Sequence, residues 1–152
     1  MVEKIKWESI DIEKEIFFET GLSLIKINIY DKDYLFLVDT GANDCIIDTD
    51  AVKELGPNIE LVETDNMLKG FESNMQLKEV NIPVKVANID ETMLFSVLSL
   101  DNINEYFNEK NGVITGIIGS NFLRYFALII DFHQLKLWYP VKYMEEEDLW
   151  FI

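Results

Sequence analysis

Apolar and polar residues alternate along much of the chain, a pattern typical of β-strands with one buried face. Over residues 22–30 the three isoleucines fall on one face, and Lys26 and Asn28 fall on the other. Further strands are predicted over residues 16–18, 45–47, 61–64, 67–77, 80–86 and 93–98. The sequence therefore predicts a mostly β protein.

One strand differs from the others because its apolar run is uninterrupted. Residues 34–38 are all apolar, which is typical of a strand buried on both faces. Asp39, Thr40 and Gly41 follow it directly. Glycine allows a tight turn because it has no Cβ, and the threonine hydroxyl can tie down a loop. We therefore expect a carboxylate held against the core at the point where the chain turns.

Polar and glycine-containing stretches predict where other elements begin and end. Residues 31–33 predict a turn. A helix is predicted over residues 50–55, with Asp48 or Thr49 as its cap and Gly56 at its end. Residues 101–111 fit either a short surface helix or a loop insertion. Residues 1–15 fit either an alternating strand or a mobile arm.

Composition limits the classes of function. The 152 residues are 49% apolar and carry a net charge of −15, which predicts one acidic globular domain over residues 1–152. Such a surface repels nucleic acids and anionic membranes and attracts cationic peptides. Cys45 is the single cysteine, so no internal disulfide is expected. No run near 18 apolar residues predicts a membrane span. The first residues lack a secretory apolar region, so a cytoplasmic location is expected, although an already removed leader would leave no trace.

Two separated motifs carry a resemblance to a known family. Residues 39–42, Asp-Thr-Gly-Ala, resemble the catalytic loop of the retropepsin-like (retroviral-type) aspartic proteases. Ile117, Ile118 and Gly119 resemble the family's second signature, two apolar residues and a glycine ahead of a small helix. Residues 126–138 resemble its closing hairpin. The resemblance covers about residues 17–140, with the terminal segments as candidates for a dimer interface.

The resemblance implies a fold and an activity. It implies a closed acid-protease barrel of six or more strands with one or two short helices, and an aspartic endopeptidase without metal or organic cofactor. Asp39, Thr40 and Gly41 would form the catalytic loop. Because the reaction needs two carboxylates and the sequence holds one Asp-Thr-Gly, two copies of Asp39 would meet in a homodimer.

The resemblance also implies a substrate site for a peptide or protein. Residues 61–77 would form the flap over the substrate, although its tip is poorer in glycine than is usual in the family. Asn43 and Ser120 stand where retroviral enzymes have an acid and an arginine that brace the dimer. The predicted substrate-binding residues are Ala42, Asp44, Lys69, Gly70, Phe71, Ile118 and Gly119.

Other interpretations remain beside the protease. A retropepsin-like module could keep the fold and dimer while only binding peptides, and a chance motif in an unrelated β-domain is a third alternative. Cys45 with His133 could be a thiol nucleophile and its base, but a core cysteine is the commoner role. One cysteine and one histidine do not make a zinc site. The acids between residues 39 and 50 miss the spacing of a calcium loop. Asp131 also follows an apolar strand, but no glycine follows it.

Overall fold

The computed structural model of the chain describes residues 5–56, 60–67, 76–107 and 111–141. Strands and short helices alternate in these ranges, with strands in the majority. In chain order the elements are β1 (Lys6–Asp11), α1 (Lys14–Thr20), β2 (Leu24–Ile29), β3 (Lys32–Val38), β4 (Ile46–Asp48), α2 (Thr49–Leu55), β5 (Glu60–Met67), β6 (Gln76–Val86), β7 (Ile89–Leu98), α3 (Asp101–Tyr106), β8 (Ile114–Ile118), α4 (Ser120–Tyr125), β9 (Ile129–Asp131) and β10 (Lys136–Val141).

Six strands close into a barrel. Their order is β2-β3-β8-β4-β7-β6, and the ring closes where Asn28 of β2 pairs with Lys85 of β6. Strand β5 extends the sheet by pairing antiparallel with the first half of β6. Pro83 lies between the stretch of β6 that pairs with β5 and the residue that pairs with β2. The predicted closed barrel of six or more strands is confirmed.

A second, three-stranded sheet joins the two ends of the described chain. Strand β1 pairs antiparallel with β10, from Lys6 opposite Val141 to Asp11 opposite Lys136. Strand β9 pairs with the other side of β10. Of the two interpretations of residues 1–15, the strand is therefore correct for Lys6–Asp11. The closing hairpin predicted over residues 126–138 is confirmed as β9 and β10.

The core fills the barrel as the alternation predicted. The isoleucines of β2 are buried, and the rings of Phe36 and Phe95 lie 5.8 Å apart across the interior. The prediction that residues 34–38 are buried on both faces holds fully only for Phe36. The others are half-buried because this part of β3 borders the surface, where Leu35 lines two clefts.

One predicted strand is wrong. Residues 16–18 lie in helix α1, which ends at Gly21 with a left-handed φ of 76° and a hydrogen bond from its N–H to Phe17 O. The hydroxyl of Thr20 also donates to Ile16 O, one turn earlier. Three consecutive apolar residues cannot separate a strand from one helical turn, and the glycine that ends the helix decides between them here.

The turn and helix predictions need smaller corrections. The β2–β3 hairpin turns at Tyr30 and Asp31, whose φ values are 49° and 64°, slightly before the predicted turn. The described residues contain four short helices rather than one or two, because α1 forms where the sequence predicts a strand and residues 101–106 form a helix rather than a loop. None of these helices has the length and apolar character that crossing a membrane requires.

Asp48 does not act as the expected side-chain cap. It occupies the position before α2, but its Oδ1 accepts a hydrogen bond of 2.8 Å from the N–H of Leu100. The carboxylate is buried and ties the end of β4 to the segment that leads into α3.

The described residues contain no group of three or more His, Cys, Asp or Glu side chains suited to a metal ion, so the structure gives the calcium interpretation no support.

Candidate active site

The two sequence motifs meet at one edge of the barrel. Strands β3 and β8 run parallel, with Val38 opposite Ile118, so both end at the same edge. The N–H of Asp39 donates to Ile118 O at 3.0 Å and continues the pairing by one residue. The loop at residues 39–44 therefore begins beside the start of α4.

Backbone N–H groups hold the turn at Asp39 and one oxygen of its carboxylate. The N–H of Gly41 donates to Asp39 Oδ1 at 2.9 Å, and the N–H of Ala42 donates to Asp39 O at 3.2 Å. A Cβ at residue 41 would lie 3.2 Å from Oδ1, so glycine suits this close approach. Asp39 is half-buried while Thr40 and Gly41 are exposed. The turn therefore fixes one carboxylate oxygen and leaves the rest of the loop facing outward.

The start of helix α4 clamps the other end of the loop. The N–H of Ser120 donates to Ala42 O at 2.7 Å, and that of Asn121 donates to Asn43 O at 3.1 Å. The first N–H groups of a helix have no partner inside the helix, so external carbonyls must satisfy them. The carbonyls of Ala42 and Asn43 accept these hydrogen bonds here, so helix and loop hold each other in place.

Gly119 makes this clamp possible. It is buried, and a Cβ there would collide with the backbone carbonyl of Asp44 and lie 2.9 Å from Ala42 O. These neighbours are backbone atoms, which cannot rotate away as a side chain can. Any other residue would push the loop and the helix apart.

Sequence comparison decides the family. The sequence profile described as aspartyl protease matches residues 25–122, well over half of the chain and including both motifs. The chain belongs to the aspartyl protease family. The protein is therefore classed among the aspartic-type endopeptidases. A search among curated proteins finds no significant match.

Solved structures share the fold of this family member. A retropepsin-like aspartic protease from Rickettsia conorii is 16% identical with a TM-score of 0.56, over 93% of this chain and all of that one. EIAV protease, solved with the inhibitor HBY-793, is 15% identical with a TM-score of 0.52, over 70% of this chain and 88% of that one. At these identities the likeness shows a retropepsin-like fold.

Cys45 and Asn121 form a contact that the sequence did not predict. The Sγ of Cys45 donates to Asn121 Oδ1 at 3.3 Å, and the same oxygen accepts the N–H of Phe122 at 2.7 Å. Burial raises the pKa of the Cys45 thiol to about 11, so the thiol is neutral near pH 7. In the sequence, Asn121 two residues after Gly119 was the signal that could have indicated this hydrogen bond.

The Cys45–His133 interpretation is not supported. A nucleophilic cysteine needs an accessible thiolate, whereas the Cys45 side chain is 0% exposed and its proton is donated to Asn121. His133 is exposed in the β9–β10 turn, where its N–H donates to Asp131 Oδ1. Cys45 is therefore a buried core residue whose hydrogen bond to Asn121 also braces the loop. Asp131 ends β9, and its side chain accepts hydrogen bonds within the β9–β10 turn.

The predicted site residues fall into three groups. Asp39, Thr40, Gly41, Ala42 and Asp44 share one loop, where Asp44 is exposed and Ala42 half-buried. Ile118 and Gly119 lie behind that loop and are buried, and their contact with a substrate stays a prediction. Lys69, Gly70 and Phe71 lie outside the described residues. The strands on either side of them, β5 and β6, pair antiparallel up to Met67 opposite Gln76.

Proposed function

We propose that this chain is an aspartic endopeptidase that acts as a homodimer and hydrolyses peptide bonds with water activated between two Asp39 carboxylates. The observation that carries the proposal is the double fixation of the loop. Hydrogen bonds from Gly41 and Ala42 set the turn at Asp39, and the start of α4 holds the following carbonyls. A carboxylate positioned before substrate arrives is what general acid–base catalysis requires.

The chemistry requires a second carboxylate. Two adjacent carboxyl groups share one proton, so that one acts as a base on water while the protonated one polarises the scissile carbonyl. The sequence contains Asp-Thr-Gly once and no Asp-Ser-Gly. A two-fold axis beside Asp39 would supply the partner from a second copy, and the exposed Thr40 would then face its own counterpart.

The substrate would lie against the outward side of the loop. Ala42 and Asp44 would contact it from below, and the hairpin formed by β5 and β6 would cover it with Lys69, Gly70 and Phe71 at the tip. The net charge of −15 would favour cationic peptides over acidic ones, and nucleic acid is not expected as a partner.

The test is cleavage of a mixed peptide library at micromolar protein, from about pH 4 to about pH 7.5, where carboxylate dyads titrate and act. The wild type is compared with Asp39→Asn, and Asp90→Asn serves as a control because Asp90 is an exposed acid on β7. The proposal requires cleavage by the wild type and Asp90→Asn and none by Asp39→Asn.

Sedimentation of the same samples separates the alternatives. A dimer that cuts no peptide at any pH would support the non-catalytic peptide-binding module instead. Asn43 and Ser120, which replace the charged brace of retroviral enzymes, are the observation that favours that second candidate. A dimer that cleaves only when Asp39 is intact would exclude it.

A further inference from the structure

A cleft of about 590 Å³, here named the acidic cleft, lies between the start of β3, the start of β8 and helix α2. Its volume is in the range of sites that hold small ligands or single side chains. The charged residues among those that line it are four acids and one lysine: Asp33, Asp48, Asp50, Glu54 and Lys32. The described lining therefore has a formal excess of three negative charges.

A second cleft nearby lacks this excess. It has a volume of about 760 Å³, and Leu35 lines both clefts. Three acids and three lysines are found among the described residues that line it. Two of these lysines already pair with acids, Lys26 with Glu13 at 3.8 Å and Lys136 with Asp11 at 3.5 Å. Charge therefore favours the smaller, acidic cleft as the place where a cation from outside the chain would bind.

Two polar side chains that are more than nine-tenths buried reach the acidic cleft. Asp48 and Thr115 both line it, and each is 7% exposed. Ile47 pairs antiparallel with Gly116, so Asp48 lies opposite Thr115 on the same face of the sheet. Within the described part of the chain the Thr115 hydroxyl has no hydrogen-bond partner, and no side-chain polar atom there is both enclosed and unpartnered. The hydroxyl is therefore open to the cleft, beside a buried carboxylate.

The chain itself holds one cation at this cleft. Lys32 Nζ lies 3.3 Å from Glu54 Oε1 and 5.1 Å from the centroid of the Tyr34 ring. A carboxylate beside an aromatic face suits an ammonium or guanidinium group. The side chains of Lys32 and Glu54 are 61% and 60% exposed, so their ion pair is weak. A cation that also reached Asp48 would bind better than Lys32 does.

The arrangement suits an organic cation rather than a metal ion. No three acids of the described residues, those of this cleft included, are grouped closely enough to hold a metal. The guanidinium group of arginine is planar, with five N–H donors, and can bond to a carboxylate and a hydroxyl while it stacks on a ring. Asp48 accepts the Leu100 N–H through Oδ1, and a carboxylate has room for further donors.

The acidic cleft is separate from the loop that carries Asp39. Strands β3 and β8 run parallel from the cleft to that loop. At about 3.3 Å per residue, the stretch from Thr115 to Gly119 places the cleft on the order of 10–20 Å from the loop. A side chain bound in the cleft would therefore belong to a residue several positions away from any bond held at Asp39.

We infer that the acidic cleft is a second binding site, apart from Asp39, for an arginine or lysine side chain of a peptide or protein. Asp48 and Thr115 are its buried contacts, and Tyr34 and Glu54 its outer ones. The inference goes beyond the proposed function, because binding at the cleft does not need cleavage at Asp39.

Titration followed by ¹H–¹⁵N NMR tests the inference in the Asp39→Asn variant, so that no peptide is consumed. The probe is a blocked alanine–arginine–alanine tripeptide. Its control carries citrulline, which has nearly the shape of arginine but no charge. The arginine peptide should shift the amide signals of Asp48 and Thr115 until they saturate, and the citrulline peptide should not.

Further substitutions should change the dissociation constant in opposite directions. Asp48→Asn keeps an acceptor for the Leu100 N–H but removes the formal charge, and should raise the constant about 10-fold or more. Lys32→Gln removes a competing cation and should lower it about 2-fold or more. Glu15→Gln is the control because Glu15 is an exposed acid that lines the second cleft, and it should leave the constant unchanged.

A double variant keeps the test decisive if Asp48→Asn does not fold. Asp50→Asn/Glu54→Gln changes two exposed acids of the cleft and should also weaken binding of the arginine peptide, by more than Glu15→Gln does. Thermal unfolding confirms that each variant is folded.

Several results would overturn the inference. Equal binding of the two peptides would mean that the cleft does not recognise a cation, and shifts confined to residues 39–44 would place the peptide elsewhere. Equal weakening by Glu15→Gln and the cleft variants would assign the effect to net charge. Tighter binding of 1,4-diaminobutane than of the arginine peptide would make a free amine the occupant. Because cleavage is not measured, failure of the proposed function would leave a positive binding result intact.

Discussion

Cys45 Sγ donates a hydrogen bond of 3.3 Å to Asn121 Oδ1 across 76 positions of the sequence. The bond joins the residue before β4 to the first turn of α4. Together with the hydrogen bond from the Asp39 N–H to Ile118 O, it holds the loop at residues 39–44 at both of its ends. The loop therefore depends on side chains that do not themselves face the substrate side.

Substitutions at the two residues that share this hydrogen bond should lower the free energy of unfolding by unequal amounts. Asn121→Ala leaves both the Cys45 thiol and the Phe122 N–H without their acceptor, so we expect a loss of about 1–3 kcal/mol in the free energy of unfolding. Cys45→Ser keeps a donor at the same place and should cost about 1 kcal/mol or less. Denaturant unfolding of the two variants beside the wild type measures the difference.

The same variants should differ in catalysis. Asn121→Ala frees the start of α4 and should lower kcat for a peptide substrate while KM changes little, because the position of Asp39 is disturbed and the outer contacts are not. Cys45→Ser should retain most of the wild-type kcat. If Cys45→Ser loses as much stability and activity as Asn121→Ala, the hydrogen bond is not what holds the loop.

Gly119→Ala should be among the most damaging single substitutions in the described part of the chain. The new methyl group would meet the carbonyl of Asp44 and lie 2.9 Å from Ala42 O, and overpacking of this kind costs about 1–3 kcal/mol or more. Both stability and cleavage should fall. The comparison is Gly116→Ala, which meets Phe36 and Ile46 inside the barrel and should reduce stability without a specific loss of kcat in the folded fraction.

The loop at residues 39–44 and the strand before it could be predicted because their chemistry is local. An apolar run that ends in Asp39 and Gly41 predicts a strand and a tight turn, and both are found, although only Phe36 of that strand is fully buried. The short helix after Gly119 followed from the resemblance to the family, whereas strand β8 before that glycine was not among the predicted strands. The register that brings Val38 beside Ile118 was not predicted, because pairing between distant strands leaves no local signal.

Features that depend on distant contacts could not be predicted. The apolar run over residues 16–18 is too short to identify α1, and the position of that helix depends on the hydrogen bonds of Glu13 and Ser23 to strands further along the chain. Cys45 was expected to be a small core residue, and only the structure reveals that its thiol donates to Asn121. Lys69, Gly70 and Phe71 stay predictions because they lie outside the described residues.

Asp131→Ala should loosen the closing hairpin. One oxygen of Asp131 accepts the N–H groups of His133 and Gln134 at 2.9 and 3.0 Å, and the other accepts Trp138 Nε1 at 3.0 Å. Without the carboxylate all three donors lose this partner, so the melting temperature should fall by several degrees. In a Trp7→Phe/Trp150→Phe background Trp138 is the one tryptophan left, so its emission reports the hairpin, and it should shift towards that of the unfolded protein at lower denaturant when Asp131 is alanine.

A matched acid tests whether that effect is specific. Asp90→Ala, at an exposed acid on β7, should leave the melting temperature nearly unchanged. The hydrogen bonds to Asp131 favour its charged form. The largest effect is that of the Gln134 N–H and the next is that of Trp138, and together they hold the pKa of Asp131 below its usual 3.8. Equal losses in the two alanine variants would mean that net charge, and not the hairpin contacts, determines the result.

Glu8 should make the terminal sheet sensitive to acid. Its Oε2 accepts hydrogen bonds from the Asn88 amide and, at 3.0 Å, from the Tyr139 hydroxyl, while Oε1 lies 3.4 Å from Lys6 Nζ. The Asn88 bond and then the Tyr139 bond hold the pKa of Glu8 below its usual 4.5. An acid whose pKa is lowered by folding stabilises the folded state above its unfolded pKa and loses that contribution as pH falls through the folded value.

Melting curves at several pH values check this expectation. Glu8→Gln should melt below the wild type near neutral pH, and the gap should narrow as pH falls below about 4.5, the pKa of an unperturbed glutamate. Glu91→Gln, an exposed acid on β7, should show no such convergence. A constant gap between Glu8→Gln and the wild type across the whole pH range would mean that the contact acts through its shape and not its charge. The link between β1 and the β6–β7 turn would then not respond to acid.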